Sequence, residues 1–203
     1  MPLRSIWLLA AALGVATTGT AGATEASPDE LVEALKGGGL VAYVRHAKTE
    51  RDYADQVSAD PTNCSTQRTL SEIGWVEAKT IGAGFRAHEI PVGEVISSQY
   101  CRAWQTADLA FGEYVQNAAL NFEPAEEYTP EQVEAMRSRV LPILTAPVEA
   151  GTNRIVVGHD DPFEAVTGIY PEPMGVTFVL RPDGDTIEVL GHIPPEYWQS
   201  ANP

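Results

Sequence analysis

The chain has 203 residues, with 13 lysines and arginines against 28 aspartates and glutamates, for a net charge of −15. That length suffices for one domain with a full hydrophobic core. So acidic a surface argues against nucleic acid or an anionic membrane as partner, and any anionic ligand has to be held by a local cluster of positive charge.

In chain order, "MPLR", "SIWLLAAALGVA" and "TTGTAGA" give a positive start, an apolar run and a small-residue exit. Residues 1–23 therefore read as a secretory signal peptide cut after Ala23, leaving one domain over 24–203 without stable membrane insertion. The apolar run is short for a membrane span. Ser27, Pro28 and Glu30 form a capping box and N1 proline that open a helix ended by glycines. "LVAYV" is a buried strand, and 47–68 is a long polar loop containing Cys64. Thr69 and Glu72 predict a second capping box and helix, "GEVISS" a strand, and "RAWQTADLAF" a helix beginning near Arg102. "ALNF" is expected as a short third strand before the acidic loop "EPAEEY", and Thr129-Pro130 opens a helix to about Leu144. "RIVVGH" is a fourth strand, Asp161-Pro162 reads as N-cap and N1 of the next helix, and "GVTFVLRPDGDTIEVLGHI" is a hairpin turning at Asp183-Gly184. Strands alternating with helices predict an α/β sandwich: a mainly parallel central sheet, helices on both faces and a C-terminal hairpin.

The two cysteines, Cys64 and Cys101, read as one disulfide in an oxidising compartment. Trp75 and Trp104 fall within predicted helices and are expected in the core.

Two apolar strands end in histidine, "VAYVRH" at His46 and "IVVGH" at His159, and a third leads to Arg102. In open α/β sheets the ligand site lies at the carboxyl ends of strands, so Arg45, His46, Arg102 and His159 converge there. Arginine forks match phosphate oxygens, a neutral imidazole is a good nucleophile, and a second, cationic histidine stabilises a phosphoryl group in flight. The set suits phosphoryl transfer through a phosphohistidine, with no metal and no cofactor.

"RHAKT", "SSQYCRAWQTADLAFG", "VVGHD" and "QRTLSEIGWVEA" together resemble the histidine phosphatase superfamily, the phosphoglycerate mutase-like fold. The likeness covers most of residues 38–193 and is nearest to small exported bacterial members similar to the lipopolysaccharide core heptose phosphatase. Ala47 stands where the family pattern has Gly; Thr49, Ser97, Ser98, Ala103, Thr106, Ala107 and Gly158 match it. The resemblance implies that His46 is the phosphorylated nucleophile and that Arg45, Thr49, Arg102 and His159 bind the phosphate. It also implies a disulfide tying the first active-site loop to the residue before Arg102.

A phosphate monoester also needs a proton donor for the leaving alkoxide. One branch of the family takes it from a Glu on the loop after the middle strand, where Glu123, Glu126 and Glu127 stand, and the other from an Asp after the second His, which is Asp160. Asp160 ranks first because Asp161 is spoken for as an N-cap; Glu126 and Glu127 are the alternatives. The expected partner is a small phosphorylated substrate, an envelope glycan or a phosphoprotein in the periplasm or outside the cell. The competing reading is a phosphate-binding or scaffold protein on the same fold with catalysis impaired, motivated by Ala47 and the open identity of the acid.

Overall fold

The structure, a computed structural model, describes residues 25–200 apart from 53, 57, 58, 124 and 126. The expected signal peptide and Glu126 lie outside the described residues. Along the described chain the elements are α1 (Pro28–Lys36), β1 (Val41–Arg45), α2 (Glu72–Ala87), β2 (Val92–Ser97), α3 (Cys101–Phe111), β3 (Val115–Gln116), α4 (Pro130–Thr145), β4 (Asn153–Gly158), α5 (Asp160–Thr167), β5 (Thr177–Asp183), β6 (Thr186–Ile193) and α6 (Pro195–Ser200).

Among the described residues the strands form one sheet in the order β3-β2-β4-β1-β5-β6, with β3, β2, β4 and β1 parallel and the β5–β6 hairpin antiparallel. The apolar strands carry side chains alternately to two faces. Ala42, Val44, Ile155 and Val157 pack with Leu31 and Leu35 of α1, Ile81 and Phe85 of α2, Ala103 of α3 and Trp198 of α6. Val41, Tyr43 and Val156 pack with Val140 and Leu144 of α4 and with Phe163 and Val166 of α5. The predicted sandwich is therefore present, with helices on both faces.

Strand register sets the site. Arg45 pairs with Gly158, so His46 and His159 leave the sheet side by side, one residue beyond the last pair. Ser97 pairs with Val157, which brings Ser98 to the same edge. β4 lies between β1 and β2, so the chain skips a place and the carboxyl ends of all three meet there.

Several local expectations are corrected. Residues 69 and 70 are extended, with Leu70 bridging Thr49 and the Thr69 carbonyl accepting from Glu50. The α2 cap is consequently Ser71, which accepts from Gly74, rather than Thr69. "ALNF" is not a strand: Asn117 caps a short 3-10 turn over Ala118–Leu120, and the third strand is Val115–Gln116. His159, with extended backbone, is the N-cap of α5, so Asp161 is not a cap and Asp160 is the first helical residue. Trp75 faces solvent at 44% exposure instead of entering the core. The sequence reading lacks α6, whose Trp198 is fully buried.

Two glycines are fixed by close approach rather than by backbone angle. A Cβ on Gly74 would lie 1.9 Å from the Lys48 carbonyl oxygen, and one on Gly158 would lie 2.3 Å from the Tyr43 hydroxyl. The first lets α2 sit against the loop after His46. The second lets Tyr43 reach under His159, where its hydroxyl donates to the His159 carbonyl at 2.7 Å and accepts from the His159 amide at 3.0 Å.

Candidate active site

His46 is 1% exposed. Its Nδ1 faces the Ala47 carbonyl at 2.9 Å, and since a carbonyl only accepts, Nδ1 carries the proton. Nε2 is then the bare nitrogen, and it accepts from Arg102 Nε at 3.2 Å. Burial first, and the neighbouring Arg102 charge second, hold His46 well below the ordinary histidine range. A neutral ring with its lone pair on Nε2 is the form a nucleophile needs.

The Ala47 amide donates to the Thr106 hydroxyl on α3 at 3.0 Å, and Thr106 donates onward to the Arg102 carbonyl at 2.7 Å. Ala47 is not among the residues with left-handed backbone, and its methyl packs with Leu70 and Ala78. A methyl at this position therefore leaves both backbone contacts of the turn intact.

His159 is fully buried, with its ring centroid 5.4 Å from that of His46. Its tautomer follows from a chain of contacts. The Gln99 amide donates to Asn121 Oδ1 at 3.0 Å, which fixes the orientation of that carboxamide. The Ser98 hydroxyl spends its hydrogen on the same oxygen at 2.9 Å. Ser98 Oγ can then only accept from His159 Nε2 at 2.8 Å, so Nε2 carries the proton. Nδ1 is buried and has no partner among the described residues. Burial and the Arg102 charge hold this ring well below the ordinary histidine range too. Once protonated, it would turn an Nδ1–H donor on whatever anion arrives.

The arginines complete the pocket. Arg102 is 4% exposed, and its Nη1 pairs with Asp55 at 2.9 Å. Phe122 and Tyr100 lie 5.1 and 5.4 Å from its guanidinium. Arg45 donates through Nη1 to the Pro171 carbonyl at 2.8 Å and through Nη2 to Asp160 at 2.5 Å, while its Nε is buried and unpartnered among the described residues. The Arg68 amide donates to Asp55 at 2.7 Å, and its charge reaches both Arg102 and His159.

Arg45, His46, Arg102, His159 and Asp160 are thus brought together. Thr49 is buried, with its hydroxyl donating to Met174 Sδ at 3.5 Å. Burial alone would raise Asp160, but the Arg45 charge and a hydrogen bond from Tyr170 outweigh it and hold the carboxyl below its ordinary range. Asp161 accepts from Tyr128 at 2.9 Å, and burial, then the Asp160 charge, raise it. Glu123 pairs with Arg139 at 2.5 Å, and Glu127 is exposed. The disulfide joins Cys64 to Cys101, the first residue of α3. Among the described residues no group of three or more His, Cys, Asp or Glu side chains is arranged to hold a metal ion.

Asp55, Asn121 and Tyr170 are absent from the sequence reading. Asn121 sits in "ALNF", whose apolar neighbours suggest only a strand, and Asp55 lies in a long polar loop without a pattern.

Neither a scan against protein-family models nor a search of curated proteins finds a match to this sequence. Solved structures of the histidine phosphatase superfamily share its fold. The protein histidine phosphatase SixA complexed with tungstate aligns over 78% of this chain and 98% of its own, with a TM-score of 0.54 and 13% identity. A SixA candidate from Agrobacterium tumefaciens aligns over 77% and 97%, at 0.52 and 22%. A phosphoserine phosphatase from Entamoeba histolytica, solved as a mutant with phosphoserine, aligns over 78% and 98%, at 0.56 and 12%.

Proposed function

We propose that the protein is an exported, metal-independent phosphatase that hydrolyses phosphate monoesters through a phosphohistidine on His46. The observation that carries this reading is the bare Nε2 of His46 in a buried pocket shared with Arg45, Arg102 and His159. A substrate phosphate takes Arg102 Nε from His46 and draws on the free Nε of Arg45. His46 Nε2 then attacks phosphorus as the bond to the leaving oxygen breaks. His159, protonated on Nδ1, and the two arginines neutralise charge on the equatorial oxygens.

Asp160 supplies the leaving oxygen with a proton. It rests as a carboxylate on Arg45; phosphate drawing on that arginine raises its proton affinity, so Asp160 takes the proton of the arriving monoester monoanion and passes it to the leaving oxygen. In the second half-reaction the Asp160 carboxylate accepts a proton from water. The water oxygen bonds to phosphorus, the P–N bond breaks, and His46 Nε2 is bare again. Glu126 and Glu127 remain the alternative donors.

The disulfide supports an oxidising compartment, and a leader over 1–23 with a mature start near Thr24 completes that reading. The substrate is a small phosphorylated molecule, an envelope glycan or a phosphoprotein; the neighbours named above include one complex with phosphoserine. The test is turnover of p-nitrophenyl phosphate by the purified protein, with and without excess chelator, beside His46→Ala. Turnover that survives chelator and vanishes in the variant is expected. Full activity in His46→Ala, or phosphate binding without any turnover, would refute the reading.

A further inference from the structure

The segment 168–176 follows α5 and closes one side of the pocket. Gly168 caps α5 in the left-handed region at φ 71°. The chain then returns over the start of the same helix. Three contacts from this segment reach the Arg45–Asp160 pair. The Pro171 carbonyl accepts from Arg45 Nη1 at 2.8 Å, the Tyr170 hydroxyl donates to Asp160 Oδ2 at 2.8 Å, and the Arg45 guanidinium lies 5.3 Å from the centre of the Tyr170 ring. Tyr170 thus touches both partners of the ion pair. It is 46% exposed, so core packing does not account for an aromatic residue here. Its ring also borders a groove of about 620 Å³ that runs to α1 and β6.

We infer that Tyr170 is a positioning residue: it holds Asp160 against Arg45 while the pocket is empty and governs how readily that carboxyl is handed to the leaving group when phosphate arrives. This rests on the phosphatase reading. Arg45 has one hydrogen-bonding edge committed to Pro171 and Asp160 and its Nε unspent. A phosphate oxygen at that guanidinium competes with Asp160 Oδ2. Once displaced, Asp160 keeps the Tyr170 hydroxyl and its own backbone amide as donors, and the Tyr170 bond, the larger of the two influences, limits how far its proton affinity climbs. The titratable and charged groups around Asp160 are Arg45 at the end of β1 and the neutral His46 after it, Asp161 beside it on α5, and Arg102 on α3; the hydroxyls of Tyr43 and Tyr128 also sense its charge. Tyr170 stands apart from these: its hydroxyl can be removed without changing any residue of the phosphate cluster and with its ring still over Arg45.

Tyr170→Phe keeps the ring over Arg45 and removes only the donor. The experiment follows the Asp160 carboxyl carbon by NMR across a pH titration of the substrate-free protein, the signal being identified by its loss in Asp160→Asn. In Tyr170→Phe the midpoint should rise by about 0.5 to 1 pH unit, the size of one partly exposed hydrogen bond to a carboxylate. The limb of the kcat/KM profile that Asp160→Asn abolishes should move the same way, with an unchanged melting temperature. An unmoved midpoint in Tyr170→Phe overturns the inference, whatever the activity. A raised midpoint in a protein that turns over no phosphate ester upholds the hold on Asp160 and sinks the phosphatase reading instead.

Discussion

His159 buries a neutral imidazole between arginines, with Nε2–H spent on Ser98 and Nδ1 unpartnered among the described residues. Burial, and then the Arg102 charge, depress its proton affinity; an oxyanion in the pocket would oppose that charge and give Nδ1–H an acceptor. Binding of tungstate at pH 7 is therefore expected to take up about one proton, read by calorimetry in buffers of different ionisation enthalpy. The uptake should shrink in His159→Asn, which keeps a donor for Ser98. Heats that do not depend on buffer would contradict the assignment. The same depression has a consequence for stability. A histidine whose folded pKa is lowered binds protons more readily when unfolded, so its contribution is present above the ordinary histidine range and is lost as pH falls through about 6.5 and below.

At the scale of elements, the disulfide pins a loop that would otherwise be held mainly by polar contacts. It joins the 3-10 turn Cys64–Thr66 to the start of α3. Beside it Gln67 Oε1 accepts from the Cys101 amide at 2.7 Å, and Asp55 bridges the Arg68 amide to Arg102. The cysteines are separated by 37 residues, and closing such a loop contributes about 4 kcal/mol in the chain-entropy account. The double variant Cys64→Ser, Cys101→Ser should melt about 10 °C lower and lose kcat/KM, because Asp55 and Arg68 are no longer carried firmly to Arg102. A melting point within a degree or two of the parent would mean the loop is held by its polar contacts alone. This loop also marks where the sequence stops being readable. Arg45, His46 and His159 stand out because apolar runs break at them, and burial makes such runs strands. Cys64 and Cys101 stand out by scarcity. Asp55, Asn121 and Tyr170 carry no such signal: each is an ordinary loop residue, and its role comes from a partner far along the chain. The α5 start is hidden for a related reason: Pro162 is tolerated anywhere in the first turn, so the sequence fits a cap at Asp161 with Pro162 at N1 as well as a cap at His159, and only the extended backbone of His159 decides it.

For the whole molecule, the relevant fact is that a chain of net charge −15 gathers Arg45, Arg68 and Arg102 at one sheet edge. Three parallel strands end there and α3 and α5 begin there; Asp160 on Arg45 and Asp55 on Arg102 offset part of the positive charge, and an arriving anion offsets the rest. At the carboxyl ends of β1, β2 and β4 the amides of Arg45, His46 and Ser98 donate to the Val176, Gly158 and Val157 carbonyls. The β5–β6 hairpin lies at the opposite edge of the sheet to β3, and among the described residues the side-chain hydrogen bonds of its outer half stay within the hairpin. An oxyanion that bridges the cations should therefore tie β1, β4 and α3 together while leaving the hairpin as it was. Saturating tungstate at about 100 times Kd should stabilise the native state by about 2.7 kcal/mol. Hydrogen exchange should slow at Arg45, His46, Ser98 and the first turn of α3, and stay unchanged at residues 181–188. Uniform slowing across the sheet, hairpin included, would show that the ligand stabilises only global unfolding; no slowing at His46 would place the bound ion elsewhere.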